Sequence, residues 1–164
     1  MAQEKFSIIN LVNNDGCFDL QFRKDTRHER SGSPTYYRWK TQFIITVPKE
    51  NIISLDKTKK TLGCGSVSVA KNQARFSVQK IDDMIETVIP YFTKNQLAGN
   101  KKRDFDLWQK AAGIIYNNKG IYLSLWRKND LMHLMEIHKA MAKHKQKPRN
   151  GKWMEMAKTL AKTV

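Results

Sequence analysis

Cysteine is scarce in this 164-residue chain: Cys17 and Cys64 alone cannot form a disulfide framework or a cysteine zinc site. Long apolar runs are missing too, and nothing approaches the roughly 18 consecutive apolar residues of a membrane span. The opening MAQEKFSII lacks the basic start and apolar block of a secretory signal, and it is too acidic for a presequence. Acidic residues are few, 15 against 30 Lys and Arg, which leaves a formal charge of +15. That imbalance argues against an ordinary metabolic enzyme and for a polyanionic partner. A reduced, intracellular, basic protein with no membrane partner is expected.

Several constellations carry no chemistry. His133, His138 and His144 fall at spacings that do not share one helical face, so they read as surface residues of a basic helix. Gly63-Cys64-Gly65 lacks the Lys-Ser/Thr of a phosphate loop and reads as a turn. Neither cysteine has a base nearby in sequence, and both read as structural.

What is present is a core and a charge gradient. Hydrophobic residues make up 40% of the chain, enough to bury a domain interior. Residues 1–95 hold 15 basic and 10 acidic side chains, residues 96–164 hold 15 and 5, so the C-terminal part is the stronger phosphate anchor. Within it, Lys143, Lys145, Lys147, Arg149 and Lys152 crowd into one stretch beside Trp153.

Periodicity orders the elements. Residues 4–13 carry helical spacing, stopped by Asn13-Asn14-Asp15-Gly16. Phe18, Leu20 and Phe22 then alternate with polar residues, as do Trp39, Thr41, Phe43, Ile45 and Val47. A helix follows Pro48 and closes at Gly63, two short strands flank the turn Lys71-Asn72, and a helix spans Ile81–Phe92. Helices continue from Asn100, with breaks at 117–120 and 148–151. The order αββαββα predicts an α+β fold with one antiparallel four-stranded sheet and additional C-terminal helices. Residues 1–118 would form the core domain and 119–164 a basic helical extension.

The apolar sheet face must lie under the helices. The other face would present Gln21, Arg23, Arg38, Lys40, Gln42, Ser66, Ser68, Gln73, Arg75 and Ser77, with Asp19 the one carboxylate among them. Such side chains hydrogen-bond bases and phosphates. These ten, with the five cations of the 143–152 stretch, are the candidate nucleic-acid contacts.

The segments Leu11-Val12-Asn13-Asn14-Asp15-Gly16-Cys17-Phe18, Leu62-Gly63-Cys64-Gly65, Ile89-Pro90-Tyr91-Phe92 and Gly99–Phe105 together resemble the single-motif LAGLIDADG homing endonucleases. The resemblance covers residues 6 to about 112. It implies a saddle of strands lying on nucleic acid and a divalent metal, Mg²⁺, held by the last acidic residue of the motif, here Asp15. It also implies a basic residue near the metal, supplied by Lys101 or Lys102, and location in an organelle, the mitochondrion before the plastid. A chain with one motif would cut DNA only as a homodimer, at a long near-palindromic site.

The motif also departs from the family. Ile9, Asn10 and Asn14 stand where small residues let two motif helices cross closely, and Asn13 replaces an acid. Unpaired buried amides cost roughly 1–3 kcal/mol each. The sequence therefore reads first as a catalytically degenerate binding protein for structured RNA, in a ribosomal or splicing assembly, with RNA favoured over DNA. The active homodimeric endonuclease is the alternative.

Overall fold

The computed structural model describes residues 6–25, 36–143 and 157–159. Helix α1 (Ile8–Asp15) starts where the Ser7 hydroxyl accepts from the Asn10 N–H at 3.2 Å, and it buries Ile8 and Val12. It runs past the expected stop at Asn13. Gly16 is extended (φ −80°, ψ 154°) yet still donates its N–H to the Val12 carbonyl, which keeps Asn14 and Asp15 within the last turn. Strand β1 (Gly16–Asp25) follows without a loop.

Strand β2 (Tyr36–Pro48) leads through a 3₁₀ turn (Lys49–Asn51) into α2 (Ile52–Leu62). Leu55, Thr58 and Leu62 are the buried stripe of α2, at spacings of three and four. Gly63 ends the helix in the left-handed conformation, φ 75°, donating its N–H to the Lys59 carbonyl at 2.8 Å. Strands β3 (Ser66–Ala70) and β4 (Gln73–Val78) form a hairpin. The sheet order is β1-β2-β4-β3, with β4 antiparallel to both β2 and β3, giving the expected α+β fold with one antiparallel sheet.

The expected helix Ile81–Phe92 is not uniform. It comprises α3 (Ile81–Asp83), a π turn (Met84–Val88) and α4 (Ile89–Lys94). Pro90 brings no N–H and cannot bond back four residues, and just before it the Ile89 N–H reaches five residues back to Met84. Helix α5 (Gly99–Asn117), a 3₁₀ turn (Leu123–Leu125) and α6 (Lys128–Ala142) follow. The basic stretch at 145–152 and the break at 148–151 lie outside the described residues.

The chain gathers into two compact units, one from Met1–Asp19 with Gln42–Asp106, the other from Leu20–Thr41 with Leu107–Val164. The first has an aromatic core: Phe18 stacks on Phe43 (centroids 5.0 Å apart), and Phe92 and Phe105 pack around them. Val12, Leu55, Phe76, Met84 and Val88 complete it, all fully buried. The second buries Trp108 and the α6 stripe Leu131, Leu134, Ile137 and Met141. His138, expected at the surface, instead lies half-buried and edge-on to Trp39 at 6.2 Å, because α6 packs that face inward.

Candidate nucleic-acid interface and metal-directed carboxylate

Antiparallel register decides which polar side chains share a surface. In the first unit Arg75 of β4 lies opposite Thr46 of β2 on one side and Ser68 of β3 on the other. The next row on the same face is Ile44, Ser77 and Ser66. Arg75, Ser66, Ser68 and Gln73 are exposed, and Ser77 and Thr46 are half-buried. Thr46 was absent from the sequence-derived contacts, although the alternation that selects Lys40 and Gln42 leads to it directly.

Gln42 departs from expectation. It keeps only 8% of its surface exposed and donates its side-chain N–H to the Asp19 carboxylate at 2.9 Å. Asp19 is buried as well, so the single acid of the polar face is screened by a neighbouring amide rather than open to an incoming phosphate. Ile44 on that face is also buried. The surface is therefore less continuously polar than alternation alone implies.

In the second unit the strands place Arg23 at the surface and Gln21, Arg38 and Lys40 half-buried, opposite the buried Leu20, Phe22, Trp39 and Thr41. Lys143, just beyond α6, is exposed. Lys145, Lys147, Arg149 and Lys152 lie outside the described residues.

The end of α1 draws together the remaining candidates. Asp15 is exposed at the last helical position. The Lys101 ammonium, from the first turn of α5, donates to the carbonyl of Gly16, the residue that follows Asp15. Lys102 points elsewhere: it is exposed and pairs loosely with Asp106 at 3.5 Å, one helical turn along. Adjacent residues on a helix diverge by about 100°, so only one of the two lysines reaches the α1–β1 junction. Asn13 turns its amide oxygen to the Ala98 N–H at 3.2 Å, at the start of α5.

These groups fit a divalent cation in part. Mg²⁺ keeps several waters and takes one or two carboxylates together with substrate phosphates. Asp15 offers one exposed carboxylate of the right hardness. Among the described residues no three His, Cys, Asp or Glu side chains cluster closely enough to hold a metal by themselves. A cation at Asp15 would draw its other ligands from phosphates and from a second motif.

A family model for LAGLIDADG endonucleases matches residues 11–112, from the second half of α1 through the sheet to most of α5. The chain belongs to the LAGLIDADG endonuclease family. Among curated proteins it is similar to "Probable intron-encoded endonuclease 2" of Neurospora crassa, 31% identical over 62% of this chain. It is also similar to "Probable intron-encoded DNA endonuclease 1" of Mycosarcoma maydis, 28% identical over 58% of this chain. The chain spans 23% and 32% of the lengths of those relatives. Among solved structures, the homing endonuclease I-TnaI matches over 93% of this chain and 92% of its own, with a TM-score of 0.68 at 21% identity. The LAGLIDADG homing endonuclease I-SmaMI bound to cleaved DNA matches over 83% of this chain but 43% of its own, with a TM-score of 0.68 at 17% identity. The fold is thus that of a homing endonuclease.

Proposed function

We propose that this chain is one half of a LAGLIDADG nuclease centre, binding duplex DNA on its polar sheet face and presenting Asp15 to a divalent metal. The observation that carries the reading is the junction of α1 and β1, where an exposed Asp15 lies one residue from a carbonyl held by Lys101. When bound there, Mg²⁺ supplies Lewis-acid polarisation of a phosphodiester. The protein's part is to hold Asp15 at a helix end, fix the strand that follows, and keep a cation, Lys101, beside it. One motif supplies one such carboxylate, so cutting requires a second motif beside it.

Sheet geometry supports DNA as the duplex. The major groove of B-DNA, about 12 Å wide, admits a β-ribbon, whereas the deep, narrow major groove of A-form RNA excludes side chains. Arg75 flanked by Thr46 and Ser68 forms a donor-rich row of the kind that reads base edges and phosphates.

A second reading has its own support. Asn10 and Asn14 are exposed one turn apart on α1, where close helix crossing calls for small residues. A chain that does not pair would bind without cutting, and the excess of +15 would then serve a structured RNA in an organellar ribosomal or splicing assembly, mitochondrial before plastid.

The test is to incubate the protein and Mg²⁺ with a library of duplex sites and to sequence the cut ends. Cleavage by the wild type, abolished by Asp15→Asn, reduced by Lys101→Met and retained by Lys102→Met, is the expected result. Arg75→Ala should weaken duplex binding and lower its salt slope by about 1. Tight duplex binding with no cut ends at any Mg²⁺ concentration would transfer the assignment to the non-cleaving reading.

A further inference from the structure

The connection between α5 and α6 exposes apolar side chains that the sheet face does not use. Tyr122 is 70% and Leu125 71% exposed, and Ile121 is 46% exposed beside them. They are not on a loose loop. The Trp126 indole, only 9% exposed, donates to the Ile121 carbonyl at 2.9 Å. Asn118, only 8% exposed, donates to the Ile114 carbonyl at 2.8 Å and to the Asp130 carboxylate at 3.2 Å. Backbone bonds from Leu125 N–H to Tyr122 and from Trp126 N–H to Leu123 close the 3₁₀ turn between these anchors.

Tyr122 caps the 3₁₀ turn in an extended conformation (φ −60°, ψ 139°) and Leu125 ends it, so the two exposed side chains flank one short turn. Two buried polar anchors hold an aromatic–aliphatic pair out into water. Exposing that pair costs solvation free energy, which a bound partner would recover.

Charge identifies the partner. Lys119, Arg127 and Lys128 are exposed around the turn, and residues 119–129 contain no acid. The nearest carboxylate in sequence, Asp130, is already bonded to Asn118. A second copy of this chain would bring like charge to like, because residues 96–164 carry 15 basic and 5 acidic side chains. A polyanion with accessible flat apolar faces fits better, and an unpaired nucleic-acid strand has both. Its bases stack on aromatic rings while cations follow its backbone.

We infer that the α5–α6 turn is a second nucleic-acid site, which takes unpaired bases on Tyr122 and Leu125 and their phosphates on Lys119, Arg127 and Lys128. It is distinct from the duplex face and independent of whether Asp15 supports cleavage.

Fluorescence anisotropy with labelled oligothymidylate and oligouridylate 15-mers, and separately with a blunt duplex, tests it. Tyr122→Ala should weaken binding of both single strands by roughly 5- to 100-fold and leave duplex affinity within about twofold. Tyr122→Phe, which keeps the ring, should bind single strands like the wild type. Arg75→Ala should do the opposite, losing duplex affinity and sparing the single strands, so failure of either site is read separately. Single-strand binding unchanged in both Tyr122→Ala and the Tyr122→Ala/Leu125→Ser double variant would overturn the assignment. So would a loss of self-association in sedimentation without loss of strand binding, since the pair would then be a contact between copies. Because both side chains are exposed, the variants should melt with the wild type, and a melting check confirms that the affinities compare like folds.

Discussion

The Asn13 amide oxygen accepts from the Ala98 N–H at 3.2 Å, tying the motif helix to a residue 85 positions away. Ala98 also accepts at its carbonyl from the Lys102 N–H, so it sits at the N-terminal boundary of α5, where backbone donors have no helical partner. Position 13 is therefore a clip between two helices, and the residue there needs an acceptor, not a charge.

Asn13→Ala should destabilise the protein by about 0.5–1.5 kcal/mol, the range of one hydrogen bond near the surface. Asn13→Asp retains an acceptor and faces the positive end of α5, and it should cost less than the alanine variant. Urea unfolding of the three proteins checks the order. An aspartate variant less stable than the alanine variant would refute the clip.

Asn10 and Asn14 should govern pairing of the chain. The Asn10→Gly/Asn14→Ala double variant removes two exposed amides that a close crossing would desolvate, at roughly 1–3 kcal/mol each if unpaired. Sedimentation should show self-association strengthened at least tenfold, offset in part by the lower helix propensity of glycine. Weaker association would mean that the amides bond across the contact.

Gly65 sits at φ 91°, and a β-carbon there would lie 2.5 Å from the Phe76 ring edge and 3.1 Å from the Ser77 carbonyl. Gly65→Ala combines a strained backbone with a clash against a fully buried ring and should cost about 2–4 kcal/mol. Gly63, also left-handed but with open space around it, should cost only about 1–2 kcal/mol when replaced by alanine. Thermal unfolding of the two variants separates backbone strain from the packing conflict.

Burial pushes the Cys64 thiol above its ordinary range, the Asp83 carboxylate adds to this, and the Thr87 bond opposes it. The native state thus holds its thiol proton longer than the unfolded chain. Below the unfolded thiol's pKa of about 8.5 both states are protonated and this group adds no pH dependence. As pH rises beyond that value the unfolded state loses its proton first, so stability should fall. Cys64→Ser should flatten the decline seen in unfolding experiments between neutral and alkaline pH. Asp83→Asn should speed alkylation of Cys64, read peptide by peptide in a mass spectrometer.

Most of the architecture was legible because two-residue periodicity leaves little ambiguity. Phe18, Leu20 and Phe22, and Trp39, Thr41, Phe43, Ile45 and Val47, share a face only as strands, and each of them is buried. Failures of alternation fell where a side chain had a long-range partner, as with Gln42 and Asp19. Choosing between Lys101 and Lys102 needed the fold, since the discriminating contact is a carbonyl 85 residues earlier. His138 looked like surface because its Trp39 partner lies on a strand about a hundred residues away. The π turn before Pro90 had a local signal, a proline inside a helical pattern, but proline marks a disturbance without specifying its form.

The bond between Gln42 and Asp19 has a bearing on redesign of the sheet face. A library that randomises position 42 to seek new target sequences would take a hydrogen bond from a buried carboxylate in most of its members, and the stability so lost would be confounded with recognition. Positions 19 and 42 should be varied as a linked pair, with apolar combinations included, so that selection acts on affinity and not on survival of the scaffold.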